Sequence, residues 1–271
     1  MKQKTIKSVL MCKPLHFAEL NYIINPWMKP GTIKEQIALD QWEQLVNSYK
    51  KLGITVNVIE QPLGVPDMVF ATDQGIVHGK KVLLSRFWHE ERRDETQFYK
   101  DWFEQNGYQI EYLPAGAYFE GNGDAYFFKN KLLVGIGFRA DEFTCEAVSK
   151  ALDIEVIPLQ ITNASFYHLD VGFLPLNDET AFYYPKAFNK RSREVLKQLI
   201  PNLVELSEEE TEGFSANSVV TGNTVIHQAG NPTFTEKLKK LGYNSIDVDL
   251  SEFKKSGGGA HCLTNILKYY E

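Results

Sequence analysis

Cys262, approached through the run Gly257-Gly258-Gly259-Ala260-His261, is the strongest nucleophile that this 271-residue chain can offer. The glycines allow the backbone to come close to neighbouring groups ahead of it. His168, in Phe166-Tyr167-His168-Leu169-Asp170, is of a type that gives and takes protons near neutral pH. Carboxylates stand at Asp67 and Asp73 in PDMVFATDQG and at Glu120 in FEGNGDA. A thiol, an imidazole and several acids together suggest attack on a planar cation. A guanidinium is permanently charged and donates several hydrogen bonds, so a dry pocket for it needs carboxylates that accept in its plane. Asp73 and Glu120 suit that role. Asp170, two residues past His168, points to the same side if the segment is extended, and adds a third acceptor. Resonance makes the guanidinium carbon a poor electrophile, which calls for a thiolate. Nearby carboxylates disfavour the thiolate and a bound cation favours it, so substrate is expected to favour its own nucleophile. His168 would then protonate the departing amine and activate water against a thiouronium-like intermediate.

Residues this far apart in sequence need elements that bring them together, and a repeat supplies them. The stretch from Gln36 to Gln61 has helical spacing, breaks at Gly53 and continues as an alternating β-rich run. The same order returns from Phe98 with a break at Gly107, from Cys145, from Ser192, and from Phe234 with a break at Gly242. The breaks recur at roughly 41 to 54 residues. Between them lie segments with two extended runs around a turn signal (HGKK, KNK, LNDE, TGN), which is hairpin chemistry. Five such units, each too small to bury its own apolar face, must share a core. The predicted fold is an α/β five-bladed propeller with pseudo-fivefold symmetry, formed by residues 1–271 as a single catalytic domain. Roughly 13 to 20 residues after each break come Asp67 and Asp73, Glu120, His168, Asn217 and Cys262, at one phase of the repeat.

Composition narrows the partners. A formal net charge of -6 offers no basic surface for nucleic acid or anionic membrane, and suits a small cationic substrate. Three cysteines without CxxC spacing point to neither a disulfide framework nor a zinc site. The N-terminal stretch reads as a first strand, not a signal peptide, and no apolar run is long enough to span a membrane. A cytoplasmic location is expected, with a homodimer compatible. No cofactor and no metal are expected.

Other residues receive plainer readings. Cys12 in the first strand and Cys145 at a helix start are structural thiols. His261 would face away from Cys262's side on an extended segment. Asp124 is expected to bond the turn backbone. Asn217 has the right phase but no chemical role. The glycines at 257–259 are followed by no P-loop lysine or serine at the required spacing.

Taken in order, INPWM (Ile24 to Met28), PDMVF (Pro66 to Phe70), SRF (Ser85 to Phe87), FEGNGDA, FYHLD and GGGAHCLTN resemble the guanidino-group-modifying superfamily of pentein fold. That superfamily holds arginine and agmatine deiminases, dimethylarginine dimethylaminohydrolases, amidinotransferases and arginine dihydrolases. The resemblance implies Cys262 as nucleophile, His168 as acid and base, and Glu120 and Asp73 as guanidinium-binding carboxylates. It implies Asp170 as the HxD aspartate, Arg86 and Arg139 as clamps on the substrate carboxylate, and Asn25 as a substrate-binding residue. Asp67 either reaches substrate or caps its turn. Where dihydrolase-like members resemble a TAN tripeptide, this chain has Ala71-Thr72-Asp73, which is similar to the deiminases and dimethylarginine hydrolases. The dimethylarginine hydrolases, however, usually lack an aspartate at the position of Asp170.

The expected activity is hydrolysis of a guanidino C–N bond in arginine or a methylated arginine, leaving citrulline. Arginine dihydrolysis to ornithine and amidino transfer to a second amine are the enzymatic alternatives. A ribosome-binding pentein module is the non-enzymatic one.

Overall fold

In the computed structural model of the chain, residues 4–270 are described. They form five three-stranded sheets, each built from the same string of elements. The first contains β1 (Ile6–Lys13), then α1 (Glu35–Lys51) and β2 (Thr55–Glu60). The second has β3 (Gly75–His78), β4 (Lys81–Leu84), α2 (Glu95–Gln105) and β5 (Gln109–Glu111). The third has β6 (Ala125–Phe128), β7 (Lys131–Ile136), α3 (Glu142–Leu152) and β8 (Glu155–Gln160). The fourth has β9 (Phe173–Pro175), β10 (Thr180–Tyr183), α4 (Lys190–Leu199) and β11 (Asn202–Glu205). The fifth has β12 (Val219–Thr221), β13 (Thr224–Gln228), α5 (Pro232–Lys240) and β14 (Asn244–Val248). The last strand, β15 (Asn265–Tyr269), returns to the first sheet.

In every sheet the middle strand pairs antiparallel with one neighbour and parallel with the other, and a helix makes the parallel crossover. A hairpin needs only a short turn, whereas a parallel pair needs a crossover of a dozen or more residues, so the helix is obligatory. In the first sheet the antiparallel neighbour of β1 is β15, with Val9 opposite Ile266, and the parallel neighbour is β2, with Val9 opposite Val56. The five-fold repetition of the sequence is therefore a repetition of one β-β-α-β unit, split in the first sheet between the two ends of the chain.

The helices begin one to three residues before the start of each sequence repeat, because polar residues open them. Asp141 accepts from Thr144 N and Asn189 from Ser192 N, while Pro232 occupies the first turn of α5. They end where the repeat breaks. Gly53, Gly107 and Gly242 lie at φ +74°, +77° and +83°, and Asp153 takes the same left-handed position at +51°.

By contacts the chain divides into two compact units: the described residues up to Ala71 with those from Ser207 onward, and Thr72–Leu206. The first has its core on one face of α1 (Ala38, Trp42, Leu45, Val46, Tyr49) together with Val9, Met11, Phe17, Phe70 and Phe253. The core of the second includes Leu132, Val134 and Ile136 of β7, Val148 and Leu152 of α3, and Phe119. Middle strands such as β7 are buried along nearly their whole length, as strands covered on both faces must be.

Candidate active site

The polar residues of Thr72–Leu206 lie on, or directly before, three one-turn helices that each lead into a first strand: Ala71–Gln74 before β3, Gly121–Asp124 before β6 and Leu169–Gly172 before β9. Glu120 and His168 are the residues immediately preceding the second and third of these turns, so they share one phase. Asp73 is the third residue of its own turn, and the equivalent residue of the next turn is Gly123. That exchange matters. A Cβ on Gly123 would lie 2.4 Å from Asp73 Oδ1 and 2.8 Å from His168 Nδ1, so glycine leaves the space in which the carboxylate and imidazole face each other.

His168 is buried and lies between two acids. Its Nε2 is 2.7 Å from Glu120 Oε2 and its Nδ1 is 3.6 Å from Asp73 Oδ1. Burial opposes its charge, but Asp73, then Glu120 and Asp124, outweigh that and push it up to about 9. The ring is therefore an imidazolium at neutral pH. Burial pushes the Asp73 carboxyl up against the pull of His168 and Arg92. Glu120 is held well below the usual carboxylate range: burial works against its charge, but Arg139 and His168 dominate. Asp124 accepts from Glu120 N at 2.7 Å, as the turn reading anticipated, and burial, with Glu120 adding, lifts it to about 7.

The carboxylates expected to hold a substrate cation also hold cations of the chain itself. Arg92 donates through Nη1 to Asp73 Oδ2 at 2.7 Å and forks onto Glu95 through Nε and Nη2 at 3.0 and 2.9 Å, its guanidinium 4.4 Å over the Phe87 ring. Arg139 Nη1 is 3.1 Å from both oxygens of Glu120, and its guanidinium lies over Tyr167. Arg92 and Glu95 escaped the sequence reading. Their i,i+3 spacing is visible in sequence, but the partner of Arg92, Asp73, lies 19 residues away.

Two expectations change here, and a third residue gains a partner within the chain. Asp170 does not lie on an extended segment: it is inside the Leu169–Gly172 turn, buried and close enough to Asp73 to raise it electrostatically. Arg86 is exposed and donates to Leu113 O, lining a surface cleft with Arg93, Tyr112 and Tyr118 and not the buried cluster. Arg139 is a partner of Glu120.

The other unit carries Cys262 in a hydrogen-bonded turn before β15. That turn is not extended, so strand alternation does not carry His261 to the opposite face; His261 is itself buried. A Cβ on Gly258 would lie 2.2 Å from Phe70, which explains the glycine run as a close approach. Asn217 is more than a residue at the right phase. Its Nδ2 donates to Cys262 Sγ at 3.0 Å, and its Oδ1 accepts from Gly259 N and Cys262 N at 2.9 and 3.1 Å. Asn25 Nδ2 donates to Ser256 O and Ser256 Oγ to Asp67 Oδ1, at 3.1 and 2.9 Å, so Asn25 and Asp67 meet at the start of the glycine run. Cys12 and Cys145 are buried, and burial pushes the Cys145 thiol up to about 12. Among the described residues no cluster of His, Cys, Asp and Glu is arranged to hold a metal ion, and no helix is long and apolar enough to cross a membrane.

Residues 12–268 match the family model described as N,N dimethylarginine dimethylhydrolase, eukaryotic. The chain belongs to the dimethylarginine dimethylhydrolase family. Among its relatives is the N(G),N(G)-dimethylarginine dimethylaminohydrolase of Mycobacterium tuberculosis, 33% identical over 94% of this chain and 83% of that protein. The bifunctional arginine dihydrolase/ornithine cyclodeaminase ArgZ of Synechocystis sp. is 38% identical over 94% of this chain, which spans 37% of ArgZ. The solved N-terminal domain of ArgZ, covalently bonded to a reaction intermediate, superposes with a TM-score of 0.92 at 36% identity, covering 96% of this chain and 97% of that domain. The dimethylarginine dimethylhydrolase family member described here thus has the predicted fold class, the pseudo-fivefold α/β pentein fold, with its five units of one topology.

Proposed function

We propose that the chain is a hydrolase, acting as one catalytic domain, that cleaves a C–N bond of the guanidino group of arginine or a methylated arginine and leaves citrulline. The observation that carries this reading is the buried imidazole of His168, held on Nε2 by Glu120 while Nδ1 faces Asp73 Oδ1 across the gap that Gly123 leaves. A cation site with a charged acid at its edge suits departure of an amine from a guanidinium carbon.

In this reading the Cys262 thiolate attacks the guanidinium carbon and forms the C–S bond. His168 passes a proton to one nitrogen as its C–N bond breaks, and ammonia or an alkylamine leaves. Since Nε2 is engaged by Glu120, Nδ1 is the nitrogen placed to transfer it. The neutral imidazole then takes a proton from water, which adds to the thiouronium carbon. The C–S bond breaks, returning the thiolate and leaving the ureido group. Asp73 and Glu120 accept from the guanidinium, and Asp170 adds negative potential. Asn25, Asp67 and Arg139 bind the amino-acid end of the substrate. The relative ArgZ is named for dihydrolysis, which favours a second reading in which arginine yields ornithine. Asp73 argues for the citrulline outcome, because a carboxylate keeps accepting from the remaining nitrogens after the first departs.

Sparse cysteines without pairing spacing fit a cytoplasmic setting, and light scattering during size exclusion separates monomer from homodimer. Turnover of arginine and of dimethylarginine, with mass detection of citrulline, ornithine and released amine, tests the reaction. Citrulline and amine, lost in Cys262→Ala, are expected. Ornithine as the main product would select the second reading, and no turnover of either would overturn both.

A further inference from the structure

We propose that Asn217 is a catalytic residue for thiolate formation: its side-chain amide donates to Cys262 Sγ and stabilises the ionised sulfur while fixing the turn that carries it. This rests on the reading of Cys262 as nucleophile. Three backbone donors of that turn converge on Asn217. Gly259 N and Cys262 N reach its Oδ1 at 2.9 and 3.1 Å, and His261 N reaches its backbone oxygen at 3.3 Å. The two N–H groups on Oδ1 decide the orientation of the amide, because a flipped NH2 would meet two donors. The NH2 must then face the sulfur, and it does so at 3.0 Å. A thiol is a weak acceptor and a thiolate a strong one, so the N–H···S bond favours the ionised form.

Glycine at 259 is part of the device: a Cβ there would lie 3.0 Å from Asn217 Oδ1 and 3.2 Å from its backbone oxygen. Both residues are fully buried or nearly so, Asn217 at 0% and Cys262 at 2% exposure, so water does not replace the donor. Asn217 supplies a neutral donor that acts before and after substrate arrives.

The test is the pH dependence of iodoacetamide alkylation, read at the Cys262 peptide by mass spectrometry, in the full chain and in N217A and N217D, with kcat, KM and melting temperature measured alongside. Asn217→Asp keeps an acceptor for both backbone N–H groups but loses the donor and adds a charge. The midpoint of alkylation is expected to rise by about one unit in N217A and by more in N217D. The kcat at neutral pH should fall about tenfold or more, with KM little changed. A folded variant with the wild-type midpoint, whatever its kcat, would reduce Asn217 to a strut and overturn the proposal. If N217A does not fold, N217D decides by the same criterion. Failure of the nucleophile reading is separately visible, as undiminished turnover in Cys262→Ala.

Discussion

The charge on His168 has consequences for stability as well as chemistry. Its folded pKa, about 9, exceeds the ordinary 6.5, so its contribution is fully present below pH 6.5 and lost as pH rises through 9. Asp124, raised to about 7, loses its contribution in the same direction at lower pH. The melting temperature should fall between pH 6.5 and 9, and His168→Asn should flatten that slope; a wild-type curve level across the range would contradict the assignment. Arg92 bears a different burden. Removing it in Arg92→Met leaves Asp73 and Glu95 buried without their shared cation, a loss of about 3–5 kcal/mol that denaturant titration reads directly. The thiol, imidazole and acids could be found in the sequence because their types announce chemistry. Arg92, Glu95 and Ser256 could not, because pairing between residues many positions apart is decided by folding. Asn217 was seen at the right phase, but its role depends on a 3.0 Å contact that no spacing encodes.

The site turns are where one element type serves two purposes. Each sheet must be entered after the previous one ends, and Gly121–Asp124 and Leu169–Gly172 make that entry while holding Glu120 and His168 at their starts. Helix breaks and hairpin turns were legible because glycine and polar clusters mark them, as at Gly53, Gly107 and Gly242. The one-turn helices were not, since four residues such as Leu169-Asp170-Val171-Gly172 carry no period, and sequence alone therefore puts Asp170 on an extended segment. Gly123 tests the account of these turns. Its φ does not require glycine, so Gly123→Ala should still fold, yet its methyl would separate Asp73 from His168. Misplacement on that scale should lower kcat/KM roughly a hundredfold. A variant with wild-type kcat/KM would show that the close approach is not used.

For the whole molecule, the first sheet takes strands from both ends of the chain, with Tyr270 N donating to Thr5 O at 2.8 Å. Joining the ends through a short linker and opening the chain at the exposed Lys129-Asn130 turn should therefore give a circular permutant that folds and turns over substrate. Insoluble or inactive permutant would mean that the order of the units matters beyond their pairing. The repeat itself was readable in sequence because five β-β-α-β units recur with the same punctuation; completion of the first unit by β15 was not, since no local pattern says which strand a terminal segment joins. Covalent attack by Cys262 on a guanidinium carbon requires a transient C–S adduct. Acid quenching during turnover of arginine or dimethylarginine, followed by mass analysis of the Cys262 peptide, tests it most directly. An alkylthiouronium adduct on Cys262 that still carries the amino-acid part of the substrate and disappears as substrate is exhausted is the expected result; steady turnover with no adduct, undiminished in Cys262→Ala, would contradict it.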